Sequence, residues 1–295
     1  MFMGTPEIAI PSLEKLHKKH EICTIVTQAD KPRGRGHKLV PTSVAIWGNE
    51  HNIDVIKPAT FADEAFLPVL KEYNPEVIIV IAYGKILPKY VLDYGTGRQL
   101  AFKKSAESRE KMSNSPEIAK AINIHFSLLP KYRGAAPVQR AIANGEVETG
   151  VCTMLMAEKL DAGDILHTIK TPICKGETSG ELFERLGALG AEAIDYTLDN
   201  LKSIIPLQQN EQEATYAPML TKEESFIDFS KTPQEIINHI RAFNPHPVAR
   251  MVHNGETLKV FSARVNNDGK LEILEIQPPN KAKMLYSDYL RGIKP

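Results

Sequence analysis

The sequence predicts an α/β fold with a mostly parallel sheet, followed by a smaller β-rich domain. Through about residue 170, short β-branched runs alternate with helical stretches, as they do in a parallel sheet with crossover helices. The chain has 295 residues, more than one hydrophobic core usually supports, so two domains are expected. After about residue 207, short strands separated by turns predominate, which indicates that the second domain is small and rich in β-structure.

The first predicted domain covers residues 1–206. Residues 77–82 are apolar throughout, which is typical of a strand buried on both faces of a sheet. Apolar residues at helical spacing within 171–201 predict the helix that closes this domain. In chain order, the predicted elements are a strand at 1–3, a turn at 4–7, a helix at 9–17, a strand at 21–27, a helix at 41–51, strands at 76–82 and 121–126, and the closing helix.

The second predicted domain covers residues 207–295. Residues 206–213 are polar and poor in helix formers, so we interpret them as the linker between the domains. The turn sequence Asn-Asn-Asp-Gly at 266–269 separates two strands. The predicted elements are a helix at 232–242 and strands at 257–261 and 270–276.

Residues 98–121 fit neither domain pattern. They are rich in Lys, Ser, Glu and Ala, and their six basic residues outnumber three acidic ones, so the segment carries a local positive charge. One interpretation is a solvated helical insertion, and the other is a contact with nucleic acid.

The composition, with 42% apolar and 24% charged residues, excludes a disordered chain. Because 36 basic residues balance 36 acidic ones, any contact with nucleic acid must come from a local basic patch. The cysteines at 23, 152 and 174 lack zinc-ligand spacing, so we expect no metal and a reducing compartment. The longest apolar run is far shorter than the roughly 20 residues of a membrane helix, and no signal segment opens the chain, so neither a membrane nor export is expected.

Polar side chains converge near the end of the strand that contains Asn123 and His125. Alternate side chains of a strand share a face, so these two project together while Ile124 and Phe126 pack on the other side. In open α/β sheets, ligands bind beyond the carboxyl ends of the strands. A lone strand histidine is often structural, but an Asn-x-His pair that leads into the Ser-Leu-Leu-Pro turn at 127–130 favours a reactive site.

Asp161 lies on a glycine-containing loop, which taken alone indicates only a turn. A histidine that acts near pH 7 needs a group to fix its tautomer or raise its basicity, and a carboxylate is the usual partner. An Asn amide as donor, a His as acid or base and an Asp as orienting group make a plausible acyl-transfer site. No activated Ser or Cys has this arrangement, so direct transfer to an external amine is favoured over a covalent intermediate.

A second group of functional candidates lies in residues 30–38, where Lys31, Arg33, Arg35 and Lys38 are interspersed with glycines. Phosphate binding is one interpretation, and a solvated loop is the other. The turn at 4–6 lacks the G-x-G-x-x-G spacing that a dinucleotide-binding fold requires.

Together these residues resemble the methionyl-tRNA formyltransferase family. The Ser-Leu-Leu-Pro turn is shared by several folate-dependent formyltransferases, including those that act on nucleotide sugars, so it indicates the chemistry more than the substrate. The opening block, the Gly-Arg-Gly loop and the C-terminal domain favour the tRNA enzymes. The matching blocks span nearly the whole chain in the family's order, at residues 2–7, 30–38, 82–88, 122–137, 160–164, 216–221 and 241–245.

The resemblance implies a Rossmann-like catalytic domain, a smaller OB-like barrel, and transfer of a formyl group from 10-formyltetrahydrofolate to methionyl initiator tRNA. Asn123, His125 and Asp161 fall on the family's catalytic positions: the first two would stabilise an oxyanion, and Asp161 would support proton movements. We expect a cytoplasmic monomer, with an organellar matrix as the alternative location. The residues implied to bind folate are Tyr83, Gly84, Leu87, Ser127, Leu128, Leu129 and Pro130, and those implied to bind tRNA are Lys31, Arg33, Arg35 and Lys38.

Three features depart from the family pattern. The family usually has several more residues ahead of the first block, reaches the Asn-x-His strand by a short connection instead of residues 98–121, and has an extra stretch after residues 263–265. The barrel is therefore expected to be incomplete. Two alternatives stay open: a formyltransferase for an amino sugar nucleotide, and a degraded homologue that binds folate or RNA. The intact catalytic positions argue against the second.

Overall fold

The computed structural model describes residues 1–33, 38–94 and 121–292, with the backbone alone at residues 33 and 38. These residues pack into two compact units, each assembled from several stretches of the chain. The first unit is built from Met1–Pro130, Val151–Ile169 and Leu186–Ala214, and the second from Lys131–Gly150, Lys170–Arg185 and Thr215–Pro295. A division into domains at residue 206 stays a prediction.

A seven-stranded sheet, in the order β5-β2-β1-β6-β7-β8-β9, forms the centre of the first unit. Neighbouring strands from β5 to β7 are parallel, and β8 runs antiparallel to β7, so the predicted mostly parallel sheet is confirmed. The strands are β1 Phe2–Gly4, β2 Ile25–Val26, β3 Lys31–Arg33, β4 Lys38–Val40, β5 Val55–Ile56, β6 Ile78–Ile81, β7 Ala121–His125, β8 Glu148–Leu155 and β9 Ile165–Pro172, of which β3 and β4 form a separate hairpin.

Although β1 has only three residues, it lies in the interior of the sheet, between β2 and β6. Phe2 and Met3 are completely buried there, and all four residues of β6 are buried beside them. Full burial of such side chains contributes roughly 1.5–3 kcal/mol each, which compensates for the shortness of the strand.

The predicted helices at 9–17 and 41–51 are confirmed, and α2 is capped by the Thr42 hydroxyl, which accepts from the Ala45 amide at 3.1 Å. The predicted closing helix begins later than expected, because β9 occupies the chain up to Pro172. The helices up to that point are α1 Ile10–His17, α2 Ser43–Glu50, α3 Leu67–Tyr73, α4 Lys89–Leu92, α5 Pro137–Ala143 and α6 Ser179–Asn200.

Helix α6 covers one face of the sheet. A Cβ at its Gly190 would lie 3.4 Å from both Ile124 and Phe126. The hydroxyls of Thr153 in β8 and Thr197 in α6 are hydrogen-bonded at 2.7 Å. Because Ile124 faces α6, the alternating residues of β7, Asn123 and His125, project from the opposite face.

The second unit contains a four-stranded antiparallel sheet in the order β10-β11-β12-β13. The predicted turn after β11 is confirmed, because the Asn266 side chain accepts from the backbone of Asp268 and Lys270 at 3.0 and 2.9 Å. A small antiparallel-sheet domain is thus confirmed, whereas closure into a barrel stays a prediction. Its elements are α7 Pro233–Phe243, β10 Ala249–His253, β11 Glu256–Val265, β12 Leu271–Gln277, β13 Met284–Leu285 and α8 Tyr286–Gly292.

The interpretation of residues 206–213 as a linker is wrong. Leu207 exchanges two backbone hydrogen bonds of 2.8 Å with Ile165 of β9, and Gln209 is only 6% exposed. The polar composition predicted a solvated linker, but the backbone of Leu207 pairs with β9 and the Gln209 amide donates to the carbonyls of Asp161 and Gly163, all within the first unit. Among the described residues, none of the helices has both the length and the apolar character needed to cross a lipid bilayer.

Candidate active site

The carboxyl ends of β1, β2, β6 and β7 meet at one edge of the sheet. At this edge the Tyr83 carbonyl, just after β6, accepts hydrogen bonds from Thr5 Oγ1 at 2.9 Å and Gln28 Nε2 at 2.8 Å. Thr5 follows β1 and Gln28 follows β2, so the loop after β6 is held by both neighbouring loops. Ligands bind at such strand ends in open α/β sheets.

The residues implied to bind folate divide into a buried and an exposed set. Tyr83 and Leu87 are 2% and 4% exposed and belong to the core, and burial raises the pKa of Tyr83 to about 12, so its phenol stays neutral. Ser127 and Leu129 are also buried, whereas Gly84, Leu128 and Pro130 reach the surface.

Ile86 was missed by the sequence analysis, although it lies between Tyr83 and Leu87 and is 87% exposed. Ile86 therefore adds an exposed apolar side chain to this edge of the sheet. No pattern in residues 82–88 indicates which of the apolar side chains faces outward.

Gly84→Ala is expected to destabilise the protein. Gly84 has φ +77°, and a Cβ there would lie 2.4 Å from Gln28 Nε2, so the substitution strains the backbone and displaces the donor to the Tyr83 carbonyl. The left-handed backbone alone costs a residue with a Cβ about 1–2 kcal/mol. Thermal unfolding measures the loss, and Gly255→Ala is the matched control, since Gly255 has φ +79° with nothing within 4 Å. Equal losses in the two variants would contradict a role for the Gln28 contact.

His125 and Asp161 are brought together at the face opposite α6. Their Nδ1 and Oδ2 atoms are 3.6 Å apart, and the two side chains are 6% and 14% exposed. This distance is slightly longer than a hydrogen bond, and catalytic contacts of this kind often shorten when substrate binds. Asn123 is half-buried two residues before His125 on the same face of β7. The structure therefore places all three predicted catalytic residues at one site, and their roles stay predictions.

Asp161 reaches His125 through a loop that crosses the sheet. Because β8 is antiparallel to β7, it ends beside the start of β7, where Leu155 pairs with Ile122, and not beside His125. The following loop must return across the sheet face to bring its carboxylate to His125. Asp161 itself has φ +48°, a left-handed conformation that Asp tolerates better than most residues.

The floor of the site is apolar. Cys152 is paired with His125 and Met154 with Asn123, so these two side chains share the site's face of the sheet, and they cluster with Leu129 and Ile165. Burial raises the pKa of the Cys152 thiol. A protonated, completely buried thiol is a poor nucleophile, which agrees with direct transfer and no covalent intermediate.

The backbone of Lys31, Arg33 and Lys38 forms two paired strands and not a plain loop. Strands β3 and β4 pair Lys31 with Val40 and Arg33 with Lys38, and the Asp30 carboxylate at the base lies 2.6 Å from Lys57 Nζ. Arg35 and the side chains of Arg33 and Lys38 lie outside the described residues, as does the predicted insertion up to residue 120. Within the described ranges, no group of three or more His, Cys, Asp or Glu residues could hold a metal ion.

Comparison with known proteins agrees with this geometry. The family model for formyl transferase matches residues 2–105 and 115–198, and the model for the formyl transferase C-terminal domain matches residues 219–270. The methionyl-tRNA formyltransferase of Moorella thermoacetica is 39% identical over 99% of this chain and 95% of its own length. That of Geobacter sulfurreducens is 40% identical over 100% of this chain and 93% of its own length.

Solved structures share the fold at lower identity. A Clostridium thermocellum methionyl-tRNA formyltransferase superposes with a TM-score of 0.60 and 19% identity, covering 94% of this chain and 96% of that chain. A Helicobacter canadensis N-formyltransferase, solved with folinic acid and dTDP-3-aminofucose, gives a TM-score of 0.63 and 21% identity, covering 90% of this chain and 87% of that chain. The chain belongs to the formyl transferase family and, by its curated relatives, to the methionyl-tRNA formyltransferases.

Proposed function

We propose that the protein transfers a formyl group from 10-formyltetrahydrofolate to the α-amino group of methionine on initiator tRNA, for translation initiation. The observation that carries the proposal is the meeting of Asn123, His125 and Asp161 at one site, in a chain closely related over its whole length to methionyl-tRNA formyltransferases. The proposal places the protein in the cytoplasm as a monomer.

In the proposed reaction, the methionine amine attacks the formyl carbon, a new C–N bond forms, and the bond from that carbon to N10 of the folate breaks. Asn123 and His125 donate hydrogen bonds to the oxygen as it gains negative charge, which stabilises the tetrahedral transition state. Asp161 orients the His125 ring and supports transfer of the amine proton towards the departing nitrogen. The apolar floor keeps water away from these groups.

The folate is proposed to bind at the sheet edge, beside the loop that contains Gly84 and Ile86. The Tyr83 carbonyl is already satisfied by Thr5 and Gln28, so this loop offers a preformed surface. Gly84, Ile86, Leu128 and Pro130 would contact the ligand, while buried Tyr83, Leu87, Ser127 and Leu129 would support them. No metal enters this mechanism.

The second candidate is formylation of an amino sugar nucleotide. It is favoured by the solved sugar N-formyltransferase, which shares the fold at 21% identity. The curated tRNA enzymes, at 39–40% identity over nearly the whole chain, favour the tRNA substrate more strongly.

The test is a formylation assay with purified protein and 10-formyltetrahydrofolate. Charged initiator methionyl-tRNA, uncharged tRNA and an amino sugar nucleotide are offered as parallel acceptors. We expect formyl-methionine only with charged initiator tRNA. A formylated sugar would favour the second candidate, and a folded sample that formylates none of them would favour the degraded homologue.

Arg35→Ala is expected to raise the KM for methionyl-tRNA far more than the KM for 10-formyltetrahydrofolate. The four cations within residues 31–38 would contact phosphates of the tRNA. Each lost phosphate contact lowers the magnitude of the slope of log binding constant against log salt concentration by about one unit. Steady-state kinetics at several salt concentrations provide the measurement. Lys18→Ala, which removes an exposed cation next to α1, is the control. Equal changes in both KM values would contradict a role of Arg35 in tRNA binding.

A further inference from the structure

Gln209 is a buried polar residue in an otherwise exposed segment. It is 6% exposed, while its neighbours Gln208 and Asn210 are exposed. A buried amide is costly unless its hydrogen-bonding groups are satisfied, so the partners of this side chain indicate what it does.

The Gln209 amide nitrogen binds the loop that contains Asp161. Nε2 lies 2.9 Å from the carbonyl oxygen of Asp161 and 2.6 Å from that of Gly163, so both of its hydrogens are used by this loop. It also lies 4.0 Å from Sδ of Met154, the residue paired with Asn123. Gln209 thus lies between the strand that borders the site and the loop that completes it.

The loop has a backbone that needs such support. Asp161 has φ +48°, and a left-handed residue with a Cβ persists where its surroundings fix it. Two residues further on, Gly163 packs so closely on β8 that a Cβ would lie 1.8 Å from the Leu155 carbonyl. The loop is therefore held against β8 on one side and by Gln209 on the other.

We infer that Gln209 is a positioning residue for Asp161: its buried amide fixes the loop backbone so that the Asp161 carboxylate faces His125. This inference rests on the proposed function, because it assigns Asp161 a part in formyl transfer. A displacement of about 1 Å at a reacting group can cost about 100-fold in rate. An exposed ion pair between Lys159 and Glu211 joins the same two segments, but exposed pairs contribute little.

Gln209→Met tests the inference, because Met preserves the volume of the side chain and removes both donors. We expect kcat to fall about 10- to 100-fold, with both KM values and the Kd for folinic acid, from calorimetry, changing less than about threefold. Gln208→Met, at the exposed neighbour, and Glu211→Gln, which breaks the exposed ion pair, are expected to retain wild-type kcat. Unchanged kcat in Gln209→Met, or a fall matched by an equal loss of folinic acid affinity and of Tm, would overturn the positioning role.

Gln209→Glu provides a second readout that a merely structural role would not move. The new carboxylate has no hydrogen to donate to the two carbonyls, but its protonated form has one. The ratio of variant to wild-type kcat should therefore rise as the pH falls from 8 to 6, and a constant ratio would contradict the inference. The wild-type assay separates the two proposals: an inactive wild type overturns the proposed function and this inference with it, whereas an active wild type with an equally active Gln209→Met overturns the positioning role alone.

Discussion

His125→Ala and Asn123→Ala are each expected to lower the kcat for formylation of methionyl-tRNA by about 10²–10³. Both side chains project from β7 on the face opposite α6, where they can donate to the oxygen that gains charge as the amine attacks. A donor of this type stabilises the transition state more than the ground state, so kcat should fall while the KM values change little.

The isosteric variant Asn123→Asp sharpens the test for the amide, because it retains the shape of the side chain and replaces the donor with a negatively charged acceptor. It should be at least as impaired as Asn123→Ala. His17→Ala, which alters an exposed histidine on α1, is the control for the histidine substitution. Near-normal turnover by folded His125→Ala or Asn123→Ala would show that the catalytic groups lie elsewhere.

The sheet and the shared orientation of Asn123 and His125 could be predicted from the sequence because they depend on local patterns. The apolar run in β6 and the alternation in β7 follow directly from burial, and alternation places Asn123 and His125 on one face before any contact is known. Asp161 is different: its loop follows β8, which ends beside the start of β7, so the sequence suggested a carboxylate partner for His125 on chemical grounds, but no local pattern placed Asp161 next to it.

The features that were missed depend on backbone hydrogen bonds, which leave no hydropathy signal. Strands β3 and β4 are rich in charged residues and flank two glycines, so the sequence suggested an adaptable loop, whereas the pairing of Lys31 with Val40 makes a hairpin. Gln209 lies in a polar segment and was assigned to a linker, but its amide is buried against two carbonyls. Polar composition alone does not distinguish a solvated segment from one whose polar groups are satisfied inside the protein.

Gly163→Ala is expected to reduce kcat about 100-fold, for a steric reason that is independent of Gln209. A Cβ at this position would lie 1.8 Å from the Leu155 carbonyl oxygen and 2.8 Å from its carbon, and these are backbone atoms that cannot rotate away. Leu155 also donates its amide to the Asp164 carbonyl at 2.9 Å, so the loop and the end of β8 are joined at this point. The clash must move the loop that bears Asp161, and misplacing a catalytic carboxylate by about 1 Å costs about 100-fold.

Kinetics and thermal unfolding together distinguish the two ways in which the clash can be relieved. If the loop moves, kcat falls with only a small change in Tm, because the strands retain their pairing. If β8 moves instead, its pairing with β7 is disturbed, and Tm should fall together with kcat, since Met154 and Cys152 of β8 are buried beside β7. Gly292→Ala, at an open position, should change neither quantity. Wild-type kcat and Tm in Gly163→Ala would mean that the loop accommodates a Cβ freely, and a loop that loose could not hold the Asp161 carboxylate against His125.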